Sequence, residues 1–413
     1  MTDQLTKKQT GATISVFIVI CAVYFVIPDM GYIAPSLAAI AEVYGVDAGV
    51  ASYLSTGVSL AQIVGALVCG IIVGKHIKHK TMLMIACGGM GILGMLPAVL
   101  PAGTPFEALM VDRIVFGFFL GFLQPIIFAF IAQVFVDENK RANGYGVGNV
   151  AFNVGAVFAT SVGGICVGIA WNAAFWLYAV GLVVLVLVAI FYKEPEYVQK
   201  EELEAKEEKA EGKKVKITGM AWFFMAVFVV AMMLDYPFMT AFVPSAIEHG
   251  VCDGVIGGQM MSLFTGVGII ASALFGVMFK KMKLNVLPIM CAVAAVGNFV
   301  LFCGLGVAES LAVCILAVVI IGFGHSTITV AVPQCVSVAC SPLVASAALA
   351  YTAIAMNLGV FASSPYMQIV ASVAGTTDFS VVYATSAVLM LIWAVVVFAV
   401  IRSISKKNKE VSE

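Results

Sequence analysis

Four ionisable side chains stand inside long apolar runs: Asp29, Arg113, Asp235 and His325. An ionisable group within a lipid-spanning segment is costly unless it faces a partner or a cavity, so each is a candidate for chemistry by default. That chemistry is proton binding and ion pairing. A guanidinium stays charged, while a carboxylate beside it is pulled toward its ionised form and burial pushes it the other way. An imidazole has an unperturbed pKa of about 6.5. An aspartate that meets Arg113 in one state and not in another would therefore take up and release a proton. Tyr32, Gln124, Asn149, Asn153, Tyr236, Gln334 and Asn357 place hydrogen-bonding groups in otherwise apolar sequence. They are candidate orienting contacts for a bound solute.

The elements that must hold these groups are membrane helices. Of 413 residues, 62% are hydrophobic and 11% charged, against roughly 25% charged in a soluble domain, which excludes an ordinary soluble enzyme. A net charge of −1 argues against nucleic acid as a partner, because phosphate binding needs a concentrated basic surface. Most of the ten cysteines sit within apolar runs and read as small core residues. A bilayer core takes roughly 20 apolar residues per helix. Twelve runs meet that length, near 13–38, 49–74, 81–101, 107–133, 143–168, 172–192, 218–245, 254–279, 285–306, 310–336, 343–371 and 379–402. Basic residues stay on the cytoplasmic side, and with both termini inside, 21 of the 22 Lys and Arg residues fall there, Arg113 being the exception. The expected location is the plasma or inner cell membrane. The first run is too long for a signal peptide and is expected to remain as a span.

The tract 194–217 is polar, alternates acid and base, and leaves six spans on each side. It reads as a charged cytoplasmic linker between two six-helix bundles, 1–193 and 218–413. The halves repeat: adding 206 to Asp29, Glu42, Asp47, Gly70 and Lys75 gives Asp235, Glu248, Asp253, Gly276 and Lys281. Ala151-x-Asn153-x-Gly155 matches Ala355-x-Asn357-x-Gly359 at an offset of 204. Parallel repeats of this kind place a solute site between the halves, near the bilayer midplane.

On these residues the chain resembles the major facilitator superfamily of twelve-helix secondary transporters. The loop motif after the second span, Gly-x-x-x-Asp-Arg-x-Gly-Arg-Lys in that family, is similar to Gly70, Gly74, Lys75, Lys78 and Lys80 here, with Gly74 at the aspartate position. A weaker copy runs from Gly276 to Lys283. Arg113, Gly117, Gly121 and Pro125 resemble the fourth-span motif. Gly146, Gly155, Ala159-Thr160 and Gly163-Gly164 resemble the antiporter motif, with Ala159-Thr160 where the family has Gly-Pro. Trp171 and Phe175 open the sixth span as in relatives. The bland reading of these glycines is close helix packing, and of Pro28, Pro35, Pro125, Pro237, Pro244 and Pro333, helix kinks.

The resemblance implies that the first, fourth, seventh and tenth spans line a central cavity, which is where Asp29, Arg113, Asp235 and His325 lie. At 1.5 Å per residue, Asp29 is about 14 Å and Arg113 about 9 Å deep, so they can meet. Asp235 at about 15 Å and His325 at about 22 Å need a bridging water or do not pair. The expected function is alternating-access transport of a small organic solute coupled to protons, as in drug or metabolite exporters, by a chain that works as a monomer in the lipid bilayer. The rival is organic-anion uptake or exchange centred on Arg113. A membrane enzyme or channel is more remote: no His-Glu-x-x-His cluster, ATP-binding phosphate loop, metal set or cofactor motif occurs.

Overall fold

Inside a bilayer every backbone N–H and C=O must be satisfied within its own segment, so apolar runs of this length fold as helices. The computed structural model describes residues 16–192 and 216–410, apart from 47, 74, 75, 102, 136 and 377. Among the described residues nine helical stretches are long and apolar enough to cross a membrane. One of them, Gly254–Gly306, holds two helices, and Val16–Val26 and Gly57–Ile72 are shorter apolar helices, which brings the spans to twelve.

The first span is α1 (Val16–Val26), α2 (Asp29–Ile33), a 3-10 turn and α3 (Leu37–Tyr44). Where one helix over 13–38 is expected, the chain breaks at Ile27-Pro28 and again around Pro35. Proline lacks the N–H that would continue the ladder. Next come α4 (Ala48–Ile72), α5 (His79–Val99), α6 (Phe106–Leu120), α7 (Leu123–Val134), α8 (Glu138–Val167) and α9 (Ala179–Phe191). The sixth span opens as a 3-10 turn, Ala173–Tyr178, rather than as α-helix. The second half supplies α10 (Gly219–Asp235), α11 (Pro237–Glu248), α12 (Gly254–Met282), α13 (Val286–Gly306), α14 (Leu311–Ala339), α15 (Pro342–Ala374) and α16 (Ser380–Glu410). The linker expected at 194–217 lies, up to residue 215, outside the described residues.

Local chemistry sets the ends. Asp137 accepts hydrogen bonds from the backbone N–H groups of Asn139 and Lys140 (3.1 and 2.8 Å) and starts α8. Asp253 does the same for α12 through Ile256 (2.8 Å). Gly45 closes α3 with a φ of 63°, a left-handed conformation that glycine adopts without penalty.

By contacts the chain forms two compact units. One contains the chain to Arg141, Val147–Trp222 and Val336–Asn357. The other contains Ala142–Gly146, Phe223–Cys335 and Leu358–Glu413. In the first, α6 lies against α4 with backbones nearly touching: a β-carbon built on Gly117 would sit 2.7 Å from the Val58 carbonyl oxygen, and one on Gly121 2.4 Å from that of Gln62. The sequence repeat is visible as matching contacts. A β-carbon on Gly155 of α8 would lie 2.0 Å from the Phe25 oxygen, and one on Gly359 of α15 2.5 Å from the Val229 oxygen. Phe25 and Val229 are themselves separated by the repeat offset of 204.

Candidate functional site

Pro28 ends α1 one residue before Asp29, and Tyr236-Pro237 interrupts the seventh span one residue after Asp235. Each acid is thus held at a helix break, and each meets a base from the fourth span of its own half.

In the first unit the Arg113 Nη2 donates to Asp29 Oδ1 at 2.6 Å. Tyr178, from the 3-10 turn before α9, donates its hydroxyl to the same carboxylate oxygen and accepts from Arg113 Nη2 at 3.2 Å. Aromatic rings close around the guanidinium, whose carbon is 4.0 Å from the Phe116 ring centre and 5.2 Å from that of Tyr178. Tyr32 leans on Tyr178 with ring centres 4.8 Å apart. Asp29 is 5% and Arg113 1% exposed. The pair is buried because these rings pack over it. Arg113 Nε and Nη1 and the Tyr32 hydroxyl have no hydrogen-bond partner, so the cluster retains unused donors.

In the second unit His325 Nδ1 lies 2.6 Å from Asp235 Oδ2, and Asn298 Nδ2 donates to Oδ1 of the same carboxylate at 3.3 Å. Asp235 is buried, and the His325 ring is partly open and stands 5.5 Å from the Phe264 ring. The structure corrects the depth mismatch expected from the sequence. The mismatch comes from ending the seventh span at residue 245, whereas helix continues through Pro244 to Glu248. With that extra turn Asp235 and His325 both lie about 20 Å deep at 1.5 Å per residue, and they pair directly.

The remaining candidates are dispersed. Asn357 Nδ2 stands 3.4 Å from Gln124 Oε1, and Gln124 Nε2 is 3.8 Å from the Met356 sulfur. Asn153 donates to the Asn149 carbonyl one turn back on its own helix, at 2.9 Å. Gln334 is buried and Tyr236 half-buried. Of the loop motif, Gly70 packs on Ala350, whose β-carbon would be 2.8 Å from one built there, and its repeat copy Gly276 packs on Asn143. Lys80 donates to the Ala189 carbonyl at 2.7 Å, closing the last turn of α9. Lys78 precedes α5, and Gly74 and Lys75 lie outside the described residues. A cleft of about 510 Å³ lined by Phe25, Val147, Ala151, Val184 and Leu187 carries no charged side chain.

Three residues that sequence reasoning passes over belong to these clusters. Tyr178 and Asn298 are polar groups in apolar runs, the same signal that singles out the orienting candidates. Asp112 is a fifth ionisable residue inside a span, 7% exposed and adjacent to Arg113. It is visible in the sequence but hidden beside the arginine.

Comparison with known proteins places the chain. A family model described as Major Facilitator Superfamily matches residues 13–364. No curated protein sequence matches. Among solved structures, the human organic anion transporter MFSD10 (TETRAN) superposes with a TM-score of 0.77 at 13% identity, covering 93% of this chain and 99% of that one. The proton:xylose symporter XylE bound to 6-bromo-6-deoxy-D-glucose gives 0.75 at 14% identity, covering 93% and 95%. A double tryptophan mutant of XylE gives 0.77 at 13%, covering 92% and 94%. At such identities the likeness is one of fold.

Proposed function

The chain belongs to the Major Facilitator Superfamily, a family of membrane transporters, and on that basis we propose that it carries a small organic solute by alternating access coupled to proton movement. The observation that supports this reading is the buried Asp29–Arg113 pair capped by Tyr178. The guanidinium and the tyrosine hydroxyl together hold the Asp29 carboxyl while the pair is closed. When the halves 1–193 and 218–413 rock and admit water from one side, Asp29 takes a proton and its hold on Arg113 weakens. Asp29 releases that proton when the site opens to the other side, and the pair re-forms. Each uncompensated charge moved would add roughly 2.3 kcal/mol per 100 mV of membrane potential. The Asp235–His325 pair is a second titratable site in the same scheme. Both termini face the cytoplasm of a plasma or inner cell membrane, and the monomer is the working unit.

The test is Asp29→Asn in reconstituted vesicles. Accumulation driven by an imposed proton gradient is lost, while exchange of solute down its own gradient persists. Undiminished proton-driven accumulation would remove Asp29 from the scheme.

A second reading is favoured by the unengaged Nε and Nη1 of Arg113, donors able to hold a carboxylate. The solute would then be an organic anion, the class carried by the human neighbour MFSD10. Competition by monocarboxylates against solute uptake separates this reading from a neutral or cationic solute.

A further inference from the structure

Asp112 is the one charged residue of α6 that the scheme above leaves unused besides Glu107, which is exposed. Its side chain is buried, its residue is 7% exposed, and neither carboxyl oxygen has a hydrogen-bond partner. Buried carboxylates are normally met by several donors or by a bonded cation. Here the nearest cation, Arg113, is already bonded to Asp29 through Nη2. Successive helix residues project about 100° apart, so Asp112 and Arg113 interact by charge without bonding.

The other titratable groups are few. Asp29, Tyr32 and Tyr178 complete the Arg113 cluster. Of the helices packed on α6, α7 has none. On α4, Tyr53 is exposed and Cys69 bonds the Phe122 carbonyl beyond the far end of α6. On α5, His79 and Lys80 lie at the far end and Cys87 is a buried thiol. Among the described residues of these helices none supplies a counter-charge to Asp112.

We propose that Asp112 is a proton-binding residue, carrying its proton in the state seen here. The cluster then holds one guanidinium, one carboxylate and one carboxylic acid, and its net charge is zero. The O–H bond forms on one Asp112 oxygen from hydronium, releasing water. It breaks again when rocking brings water to that oxygen: the water takes the proton as hydronium, and the free Nε or Nη1 of Arg113 then bonds the carboxylate that is left. This inference rests on the carrier reading for its purpose but not for its chemistry: two acids bear on one base, and the acid that the base leaves unbonded is neutral.

The experiment is infrared spectroscopy of the full-length protein in vesicles, with isotope-labelled aspartate to pick out aspartate carboxyls. At neutral pH the wild type shows the C=O stretch of a protonated aspartic acid. Asp112→Asn, which has the shape of the protonated acid, loses that band, and Asp29→Asn keeps it. A wild-type spectrum with no protonated aspartate at neutral pH overturns the proposal without any variant needing to fold, and so does an unchanged band in Asp112→Asn. The measurement requires no solute. A retained band in vesicles that show no proton-driven transport would therefore refute the carrier reading and leave the proton on Asp112.

Discussion

Arg113 carries two duties in the first unit, and they are separable by substitution. It neutralises Asp29 and it orders Tyr178, through the same Nη2. Lysine retains the charge but is a point donor rather than a planar fork. We therefore expect Arg113→Lys to fold and to slow proton-coupled transport by about tenfold or more, corresponding to about 1.4 kcal/mol or more of lost coupling. Wild-type rates would show that charge alone suffices. Tyr178→Phe removes the hydroxyl's hydrogen bonds to two charged groups, Asp29 and Arg113, each worth about 1.5–3 kcal/mol, and should lower the thermal unfolding midpoint in detergent. An unchanged midpoint would mean the hydroxyl contributes nothing to the pair. The buried charges are legible in the sequence because charge is rare in apolar runs. Tyr178 and Asn298 are not, since a tyrosine or asparagine in such a run has several harmless explanations. Asp112 shows a different failure: a charge beside another charge does not stand out.

Helix contacts explain what the motif glycines do. Gly155 and Gly359 each bring a helix backbone against the first helix of its half, and a side chain there would overlap a carbonyl. Overpacking costs about 1–3 kcal/mol, so Gly155→Leu and Gly359→Leu should both lower the unfolding midpoint, by similar amounts because the contact is repeated. Gly164, with open space where a β-carbon would stand, is the control and should tolerate alanine. Equal behaviour at all three positions would refute the packing account. Between α11 and α16, His249 Nε2 meets Asp378 Oδ1 at 2.9 Å, and the Ser380 N–H donates to the same oxygen at 2.7 Å. Burial works to raise the Asp378 carboxyl, but the Ser380 and His249 hydrogen bonds outweigh it and hold it below the usual carboxylate range. A depressed pKa contributes stability that is present above the unfolded value and lost as pH falls through the folded one. The unfolding midpoint should therefore fall between about pH 5 and about pH 3, and Asp378→Asn should flatten that dependence. An equally steep fall in the variant would assign it elsewhere. Span number and the break between α14 and α15 follow from hydropathy and from Pro342. The breaks in the first span follow from Pro28 and Pro35, which read as kinks in the sequence; the 3-10 entry to the sixth does not, because Ala173–Tyr178 holds no proline or glycine to mark it.

Considered as a whole, the chain is a duplicated six-span unit in which each half pairs an aspartate at a helix break with a base on its fourth span. The first half uses a permanent cation and the second a titratable one, Arg113 and His325. That asymmetry is not readable from the repeat, which matches Asp29 to Asp235 but says nothing of their partners. In the proposed scheme the first pair is the site whose loss on Asp29→Asn is read most directly, because its base cannot itself release a proton. Purified protein in vesicles loaded with a pH-sensitive dye, challenged with a panel of small organic solutes, tests this most directly. The account predicts that at least one solute drives proton flux in the wild type, and that Asp29→Asn still gains thermal stability from that solute but moves no protons. Proton flux at the wild-type rate through Asp29→Asn would contradict it.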